Sequence, residues 1–358
     1  MPKRVGFLYE KMLNKAFIQN AILCAAAKKR KRKDVQKVLR NMDKCVDYLY
    51  DLMASESYAP SEPRRKTIYD QSGQKWRDIQ YMRFFPDGVV QWMVVEAMKP
   101  VFMRSMWPWS CASVPGRGGE RQMKYLKRCL RDDRKGTKYA LQMDVRKYYP
   151  SIDTGKLMAL LERKVKDPKM LKLIKTILDT CSPGLAIGYY LNQWLANFYL
   201  EPVDWEISKI DGVKYYCRYM DNMTVLGPNK KKLHAARRKI ETLLGEIGLT
   251  MKGDWQVYPV KKRLVNSVGY QFGHGVTLAK KRTLLRFTRR VRKAVKMQKK
   301  KAAVPFRLAA GLLSKAGEVH KYDGRKIYQK YVQKLDIHEL KEVVRNESKR
   351  RQCAQQCV

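Results

Sequence analysis

Two aspartates stand apart by their surroundings. Asp144 ends the stretch YALQMD, and Asp221 sits inside RYMDNMTVL, so both are acids in strongly apolar or aromatic company. An ionised carboxylate among hydrophobic neighbours is costly to desolvate unless a cation compensates it, and hard divalent cations take oxygen ligands. Nucleotidyl transfer needs that arrangement: carboxylates hold two Mg²⁺ ions, one activating an attacking hydroxyl and one neutralising a triphosphate and its leaving group. Taken singly, each acid fits a helix cap or an ion pair with a nearby arginine at least as well. Their order along the chain, together with other motifs, favours the metal.

The pattern around each acid predicts the element that carries it. A strand over Tyr139–Val145 ends at Asp144 and runs into a turn with Pro150, and Tyr215–Leu226 forms two short strands around a tight turn holding Asp221. Two extended runs between Arg65 and Tyr81 flank Asp70-Gln71-Ser72-Gly73, a hairpin whose strands carry Lys66, Lys75 and Arg77. Helices are expected through the first fifty residues, where Phe7, Leu8, Met12, Phe17, Ile18 and Ile22 recur at three and four spacing. Further helices are expected over Val35–Met53, Val89–Met106, Thr154 to about Thr180, Leu191–Glu201 and Asn229–Gly245. Residues 54–63, with Pro60 and Pro63, read as a connector. Short strands are expected near 249–259 and 266–278, then mostly helix from Lys280. The loop SCASVPGRGGE at 110–120 has glycines that could admit phosphates, a weak signal without a fixed pattern.

Composition sets the partner. The 358 residues hold 76 Lys plus Arg against 33 Asp plus Glu, a net charge of +43, yet 45% are hydrophobic, enough for a core. A surplus of this size calls for a polyanion, and nucleic acid is the default. Residues 286–301 contain nine Lys or Arg and no acid. There Phe287, Val291, Ala294 and Val295 share one helix face with cations around the rest, as suits a helix that tracks phosphates. The run KKRKRK at 28–33 fits a solvated face as well as a binding one. Eight cysteines lie scattered without CxxC pairs, which predicts reduced thiols and no zinc finger. No secretory signal is visible. The uncharged run Thr180–Leu200 has membrane length, but Pro183, Gly184, Gly188, Asn192, Gln193 and Asn197 mark it as a loop entering a buried helix.

The motifs in this order resemble the reverse transcriptases. DVRKYYPSID looks like their first palm motif, YMDN like YxDD, and GLTMK and SVGYQF like the two later palm motifs. IGYYLNQ at 187–193 resembles more narrowly the IGxxxSQ sequence of diversity-generating retroelement reverse transcriptases, where most relatives have QGxxxSP. The opening KRVGFLYEKM, the 110–120 loop and the chain's end soon after the thumb look like that subfamily too. The resemblance implies an α+β right-hand polymerase: an N-terminal basic helical extension over 1–55, fingers over 56–138, palm over 139–278 with a fingers/palm helix near 154–180, and a helical thumb over 279–358.

It also implies roles. Asp144 and Asp221 match the metal-binding aspartates, and the Val145 carbonyl matches the backbone ligand between metal and triphosphate. Asn222 stands where the second acid of YxDD is usual, which removes one charge from the metal site and predicts weakened metal binding. Lys252 matches the residue proposed to protonate pyrophosphate, with a plain surface role as its competitor. Tyr149 matches the ring that lies under the deoxyribose, whereas Tyr148 fits ordinary packing. Arg77 resembles the fingers arginine that clamps the triphosphate, its planar fork suited to two phosphate oxygens, and Lys66 would face it across the hairpin. Arg146, Ile187, Gly188, Asn192 and Gln193 complete the expected nucleotide site, and Arg286, Arg289, Arg290, Arg292, Lys293 and Lys296 the nucleic-acid surface.

The implied activity is error-prone copying of a template-repeat RNA into cDNA, with adenines miscopied, using two Mg²⁺ ions and dNTPs. The implied partners are the template RNA, the RNA:cDNA hybrid and a small, basic, oligomeric accessory protein, with no membrane, in the cytoplasm of a bacterium or encoded by a phage. The alternatives are a retron or phage-defence reverse transcriptase, or a weakly active RNA-binding scaffold, to which Asn222 lends the support.

Overall fold

The structure is a computed structural model and describes residues 4–70, 75–181 and 183–356. The chain opens with α1 (Lys15–Ala26), α2 (Lys33–Arg40), α3 (Met42–Ala54), hairpin β1 (Arg64–Asp70) and β2 (Lys75–Tyr81), α4 (Val89–Ser105) and α5 (Gly119–Asp132). It continues through β3 (Tyr139–Asp144), α6 (Tyr148–Ser151), α7 (Thr154–Glu162), α8 (Pro168–Leu178), α9 (Tyr190–Tyr199), α10 (Glu201–Lys209), β4 (Tyr215–Tyr219), β5 (Asn222–Gly227) and α11 (Lys230–Glu246). It ends with β6 (Gln256–Pro259), β7 (Val265–Ser267), β8 (Tyr270–Gly273), β9 (Val276–Ala279), α12 (Lys281–Lys299), α13 (Phe306–Glu318), α14 (Arg325–Tyr331) and α15 (Ile337–Gln356). At 56% helix and 15% strand the fold is α+β, as the sequence predicts.

Two compact units divide the chain, Met1–Gly119 with Leu141–Val257, and Glu120–Ala140 with Tyr258–Val358. The first holds a four-stranded sheet ordered β4-β5-β3-β6. Ala140, Leu141 and Met143 of β3 and Met223 to Gly227 of β5 are buried, so this sheet is the inner layer. Against it run helices that are apolar on most sides. In α4, Val90, Met93, Val94, Met98 and Phe102 are buried, and Phe102 meets Trp194 and Phe198 of α9 at ring centroids 5.7 and 5.5 Å apart. Leu191 through Tyr199 of α9 is buried apart from the half-buried Gln193, which bears out a loop entering a buried helix within the uncharged run. Among the described residues no helix is long and apolar enough to cross a membrane.

The N-terminal segment is built into this unit. Val5 bridges Val165, and the backbone N–H groups of Leu8 and Tyr9 donate to Asp167 Oδ2 at 2.7 and 2.8 Å. Asp167 also caps α8, accepting from the Met170 N–H at 3.0 Å. The expected helical face fails at Phe7, which lies 74% exposed with φ +57°, while Leu8, Met12, Ile18 and Ile22 are buried as expected.

The second unit contains α5, the antiparallel sheet β7-β8-β9 and helices α12 to α15. Its core is Phe287, Val291 and Ala294 of α12 with Ala309, Leu312, Val332 and Leu340, and Val295 packs half-buried beside them. The cations of α12 are thereby left at the surface.

Several helices are shorter than the apolar periodicity suggests. The run Val35–Met53 breaks at Asn41, whose side chain donates to the Lys37 carbonyl at 2.8 Å and whose backbone leaves the helical region. The long helix from Thr154 is two helices, because Pro168 lacks the N–H an interior position needs and starts α8 instead. The helix from Leu191 stops at Tyr199, and Pro202 opens α10, which the sequence did not suggest. Helix α5 was also missed, although Met123, Leu126 and Leu130 recur on its buried side. Of the expected strand near 249–259, only 256–259 is ladder-paired; earlier, Met251 makes a single bridge to Val145. The hairpin exists as expected, with Gln71, Ser72 and Gly73 of its turn lying outside the described residues. Cys24, Cys45, Cys111, Cys129, Cys181 and Cys217 are free thiols.

Candidate active site

Strand β3 ends where its buried ladder ends, which places Asp144 at the rim of the inner sheet. Three segments converge on it through the backbone. The Val145 N–H donates to the Asp221 carbonyl at 3.3 Å, the Lys252 N–H to the Asp144 carbonyl at 2.8 Å, and the Arg146 N–H to the Thr250 carbonyl at 2.8 Å. Residues 221, 144–146 and 250–252, far apart in sequence, form one backbone-bonded patch.

The side chains there are Asp144, Asp221, Asn222 and Lys252. Lys252 Nζ ion-pairs with Asp144 Oδ2, while Asp144 Oδ1 is buried without a hydrogen-bond partner. Burial first, then the neighbouring carboxylate of Asp144, push Asp221 up to about 6. Desolvation alone would lower the Lys252 ammonium; the hydrogen bond and charge of Asp144 outweigh it and raise its pKa. Asn222 is exposed and donates to Asp221 Oδ1 at 3.3 Å, so it braces the carboxylate without adding charge.

An orphaned carboxylate oxygen beside a second, reluctantly ionised carboxylate is an arrangement that a divalent cation would complete. Among the described residues no group of three or more His, Cys, Asp or Glu side chains gathers into a metal cluster. The oxygen groups available at this spot are two carboxylates and nearby backbone carbonyls, a set that would suit an ion sharing its coordination with phosphate or water.

Tyr149 lies in the single helical turn α6, which opens after a left-handed residue, Lys147 at φ +43°. Its hydroxyl lies 3.8 Å from Met220 Sδ, next to Asp221, and burial first, then the Asp221 charge, raise its pKa. Tyr148, by contrast, is 4% exposed and donates to the Ala196 carbonyl inside the core, so packing is its role. Arg146 is exposed.

The segment 183–188 is held from both sides. The Leu185 N–H donates to the Tyr149 carbonyl at 2.8 Å, and the Gln80 N–H of β2 donates to the Ile187 carbonyl at 3.1 Å. Gln80 Nε2 adds a bond of 2.8 Å to the Thr180 carbonyl. Glycine is required at two points: a Cβ on Gly184, at φ +65°, would lie 2.5 Å from the Tyr149 carbonyl oxygen, and one on Gly188, at φ +128°, would lie 2.4 Å from that of Gln80. Ile187 and Gly188 thus sit between the hairpin and the turn after Asp144. Asn192 does not line a surface: it is fully buried, and its amide donates to the Ala186 carbonyl at 3.2 Å, so it can influence a nucleotide only through that segment. Gln193 is half-buried.

On the hairpin, Arg77 pairs in register with Ile68, and Lys66 pairs with Ile79, which corrects the expectation that Lys66 faces Arg77 directly. The two share a face as diagonal neighbours. Arg77 Nε and Nη2 both lie 2.8 Å from Asp70 Oδ2, and the Lys66 ammonium sits 5.0 Å from the Tyr81 ring centre. In the second unit Arg286, Arg289, Arg290, Arg292, Lys293 and Lys296 are all exposed on α12, and Arg292 Nη2 donates to the Tyr331 hydroxyl at 3.1 Å.

The sequence did not single out the support beneath Asp221. Arg218 of β4 is fully buried against Asp204 of α10, Nε to Oδ1 at 2.8 Å and Nη2 to Oδ2 at 2.6 Å. Tyr216 donates to the same Oδ1 at 2.6 Å. Desolvation opposes the guanidinium charge, and the Asp204 carboxylate more than offsets it, so the pKa is raised. The loop after α4 covers the β4 edge, where the Arg218 N–H donates to the Trp109 carbonyl at 3.0 Å and the Cys111 N–H to the Arg218 carbonyl at 2.9 Å. That is the observed work of the 110–120 loop. An arginine inside the apolar strand YYCRY and an acid among the buried residues of α10 were the available signals.

The model of the reverse transcriptase (RNA-dependent DNA polymerase) family matches residues 70–257, more than half of the chain. The chain belongs to the reverse transcriptases. It is accordingly an RNA-directed DNA polymerase, a nucleotidyltransferase. No curated protein matches the sequence. The match to the reverse transcriptase family spans Asp144, Asp221 and Lys252, and begins at the tip of the hairpin. Reverse transcriptases use divalent metal ions and deoxynucleoside triphosphates and bind an RNA template.

Proposed function

We propose that this reverse transcriptase belongs to a diversity-generating retroelement and copies a template-repeat RNA into cDNA while miscopying adenines. The observation that carries this is Ile187 in IGYYLNQ, whose carbonyl accepts from the Gln80 N–H of the hairpin while Leu185, two residues earlier, donates to the Tyr149 carbonyl. Most reverse transcriptases have glutamine there, whose amide can donate and accept. Isoleucine offers shape alone. Loss of one hydrogen bond, about 0.5 to 1.5 kcal/mol, alters discrimination by roughly an order of magnitude and leaves synthesis intact.

In this proposal the fingers, palm and thumb occupy 56–138, 139–278 and 279–358, after a basic helical extension. Asp144, Asp221 and the Val145 carbonyl would hold two Mg²⁺ ions, which when bound supply charge neutralisation and activation of the primer hydroxyl. Lys252, ion-paired with Asp144, is a proton donor placed beside the leaving group's expected position. Tyr149 excludes a 2′-hydroxyl by its ring, and Arg77, freed from Asp70, grips the triphosphate by its planar fork. Arg146, Gly188, Asn192 and Gln193 shape the nucleotide site, and Lys66 flanks it. The exposed cations of α12 track the RNA:cDNA hybrid by its phosphates. A small, basic, oligomeric accessory protein completes the assembly in a bacterial cytoplasm.

Sequencing cDNA made on one defined RNA by wild type and Ile187→Gln tests the proposal. The expected result is a wild-type error excess opposite template adenine that falls in the variant more than errors opposite the other bases. An adenine error fraction equal to that of the other bases in wild type would refute the retroelement assignment and favour a retron or defence enzyme.

A further inference from the structure

The β4–β5 turn has a backbone state that needs support. Tyr219 pairs with Asn222, leaving Met220 and Asp221 as a two-residue connection, and Met220 has φ +53°. Such turns usually use glycine or asparagine at positive φ, because a Cβ crowds the backbone there. A methionine persists in this state only where its surroundings over-determine it.

The turn is held at three points: the Val145 N–H donates to the Asp221 carbonyl, the Tyr149 hydroxyl lies against Met220 Sδ, and the buried guanidinium of Arg218 reaches the Met220 carbonyl. Beyond its two bonds to Asp204, Arg218 donates from Nη1 to the Met220 carbonyl at 2.9 Å and to Asn197 Oδ1 at 3.2 Å, and from Nη2 to the Asn197 carbonyl at 3.1 Å. Asn197 is itself fixed: its amide donates to the Ala112 and Gln193 carbonyls at 2.8 and 3.1 Å, and Ser110 Oγ lies 3.2 Å from its Oδ1. Arg218, Asp204, Asn197 and Ser110 are fully buried, so no water competes for the bonds among them, while the bond to the Met220 carbonyl is part-buried.

We infer that Arg218 is a positioning residue for Asp221. Its fork, neutralised by Asp204, holds the Met220 carbonyl and so sets where the next residue presents its carboxylate to Asp144 and to the incoming cation. The inference rests on the proposed role of Asp221 as a metal ligand. A lysine could keep the charge facing Asp204, but a single ammonium cannot span Asp204, Asn197 and the Met220 carbonyl together.

The experiment measures Mn²⁺ binding by electron paramagnetic resonance and Mg²⁺ dependence of primer extension, on the full chain, for wild type, Arg218→Lys and Asp221→Asn. Groups that orient metal ligands typically contribute 10- to 100-fold to metal affinity or activity. Arg218→Lys is therefore expected to weaken Mn²⁺ binding and raise the half-saturating Mg²⁺ concentration by about 10-fold or more, with the dNTP KM within about threefold. A role in folding alone would lower the melting temperature and leave the metal affinity of the folded fraction unchanged, and that result overturns the inference. Should Arg218→Lys fail to fold, the double variant Arg218→Gln with Asp204→Asn removes both buried charges at once, leaves neither unpaired, and carries the same expectation. Mn²⁺ affinity unchanged in Asp221→Asn would refute the metal-ligand role itself. Affinity lost in Asp221→Asn but kept in the folded Arg218 variants would refute the positioning role alone.

Discussion

Hairpin β1–β2 exposes almost its whole first strand, Arg64 to Tyr69, whereas hairpin β4–β5 buries Tyr216, Cys217, Arg218 and everything from Met223 to Gly227. Both deliver a residue with a proposed place in nucleotide chemistry, Arg77 on the first and Asp221 at the turn of the second. Arg77 is held by a half-exposed ion pair with Asp70, the kind worth about 0–1 kcal/mol, so it can be released when a triphosphate offers better acceptors. Asp221 stands on a buried ion pair whose loss would leave an uncompensated charge in the core. A group that must let go and regrip sits on an exposed ribbon. A group that must hold its position within a fraction of an ångström sits on a clamped turn.

The sharpest break in that comparison is Asp144→Asn, which removes the charge facing both Lys252 and Asp221. Extension on an RNA template should fall by about 10³-fold, and a near-native rate would mean the metal lies elsewhere. Tyr149→Ala opens the space beside Met220 and should raise the rNTP to dNTP incorporation ratio by about 10-fold or more; an unchanged ratio would place the sugar gate on another residue. Arg77→Ala should raise the dNTP KM by about 10-fold while leaving the melting temperature close to wild type, since its side chain is half-exposed and its ion pair with Asp70 is of the weak surface kind. A large loss of stability in that variant would erase the contrast between the hairpins.

The smallest effect is on pH dependence. The folded-state pKa of Asp221 is raised above its ordinary value to about 6, so the folded protein binds this proton more tightly than the unfolded chain does. The associated stability is present at low pH and is lost as pH rises from about 4 through 6. In metal-free protein the melting temperature of wild type, compared with Asp221→Asn, should fall across that window. Parallel curves for the two proteins would show that burial and the neighbouring Asp144 do not raise the Asp221 pKa.

How much of this was legible follows from the physics of each element. The acids were legible because a carboxylate in an apolar strand is anomalous without any knowledge of the fold. Strands 139–144 and 215–227 and helices 89–105 and 230–246 were legible because one apolar period runs through each. Breaks at Asn41 and Pro168 were not, because the period continues across them and a single side chain or a missing N–H decides the boundary. The roles of Arg218, Asp204 and Asn197 depend on contacts between residues 14 and 21 positions apart, and no local pattern announces them. Asn192 stands within the nucleotide motif, yet its side chain turns inward to bind the Ala186 carbonyl, an orientation that sequence position does not fix.

The most direct test is single-turnover extension of a DNA primer on a defined RNA template with dNTPs and Mg²⁺, comparing wild type with Asp221→Asn at equal folded concentration. Extension by wild type and a loss of about 10³-fold in the variant is the expected result. Equal rates in the two proteins would contradict the assignment of the β4–β5 turn as the carrier of the metal-binding carboxylate.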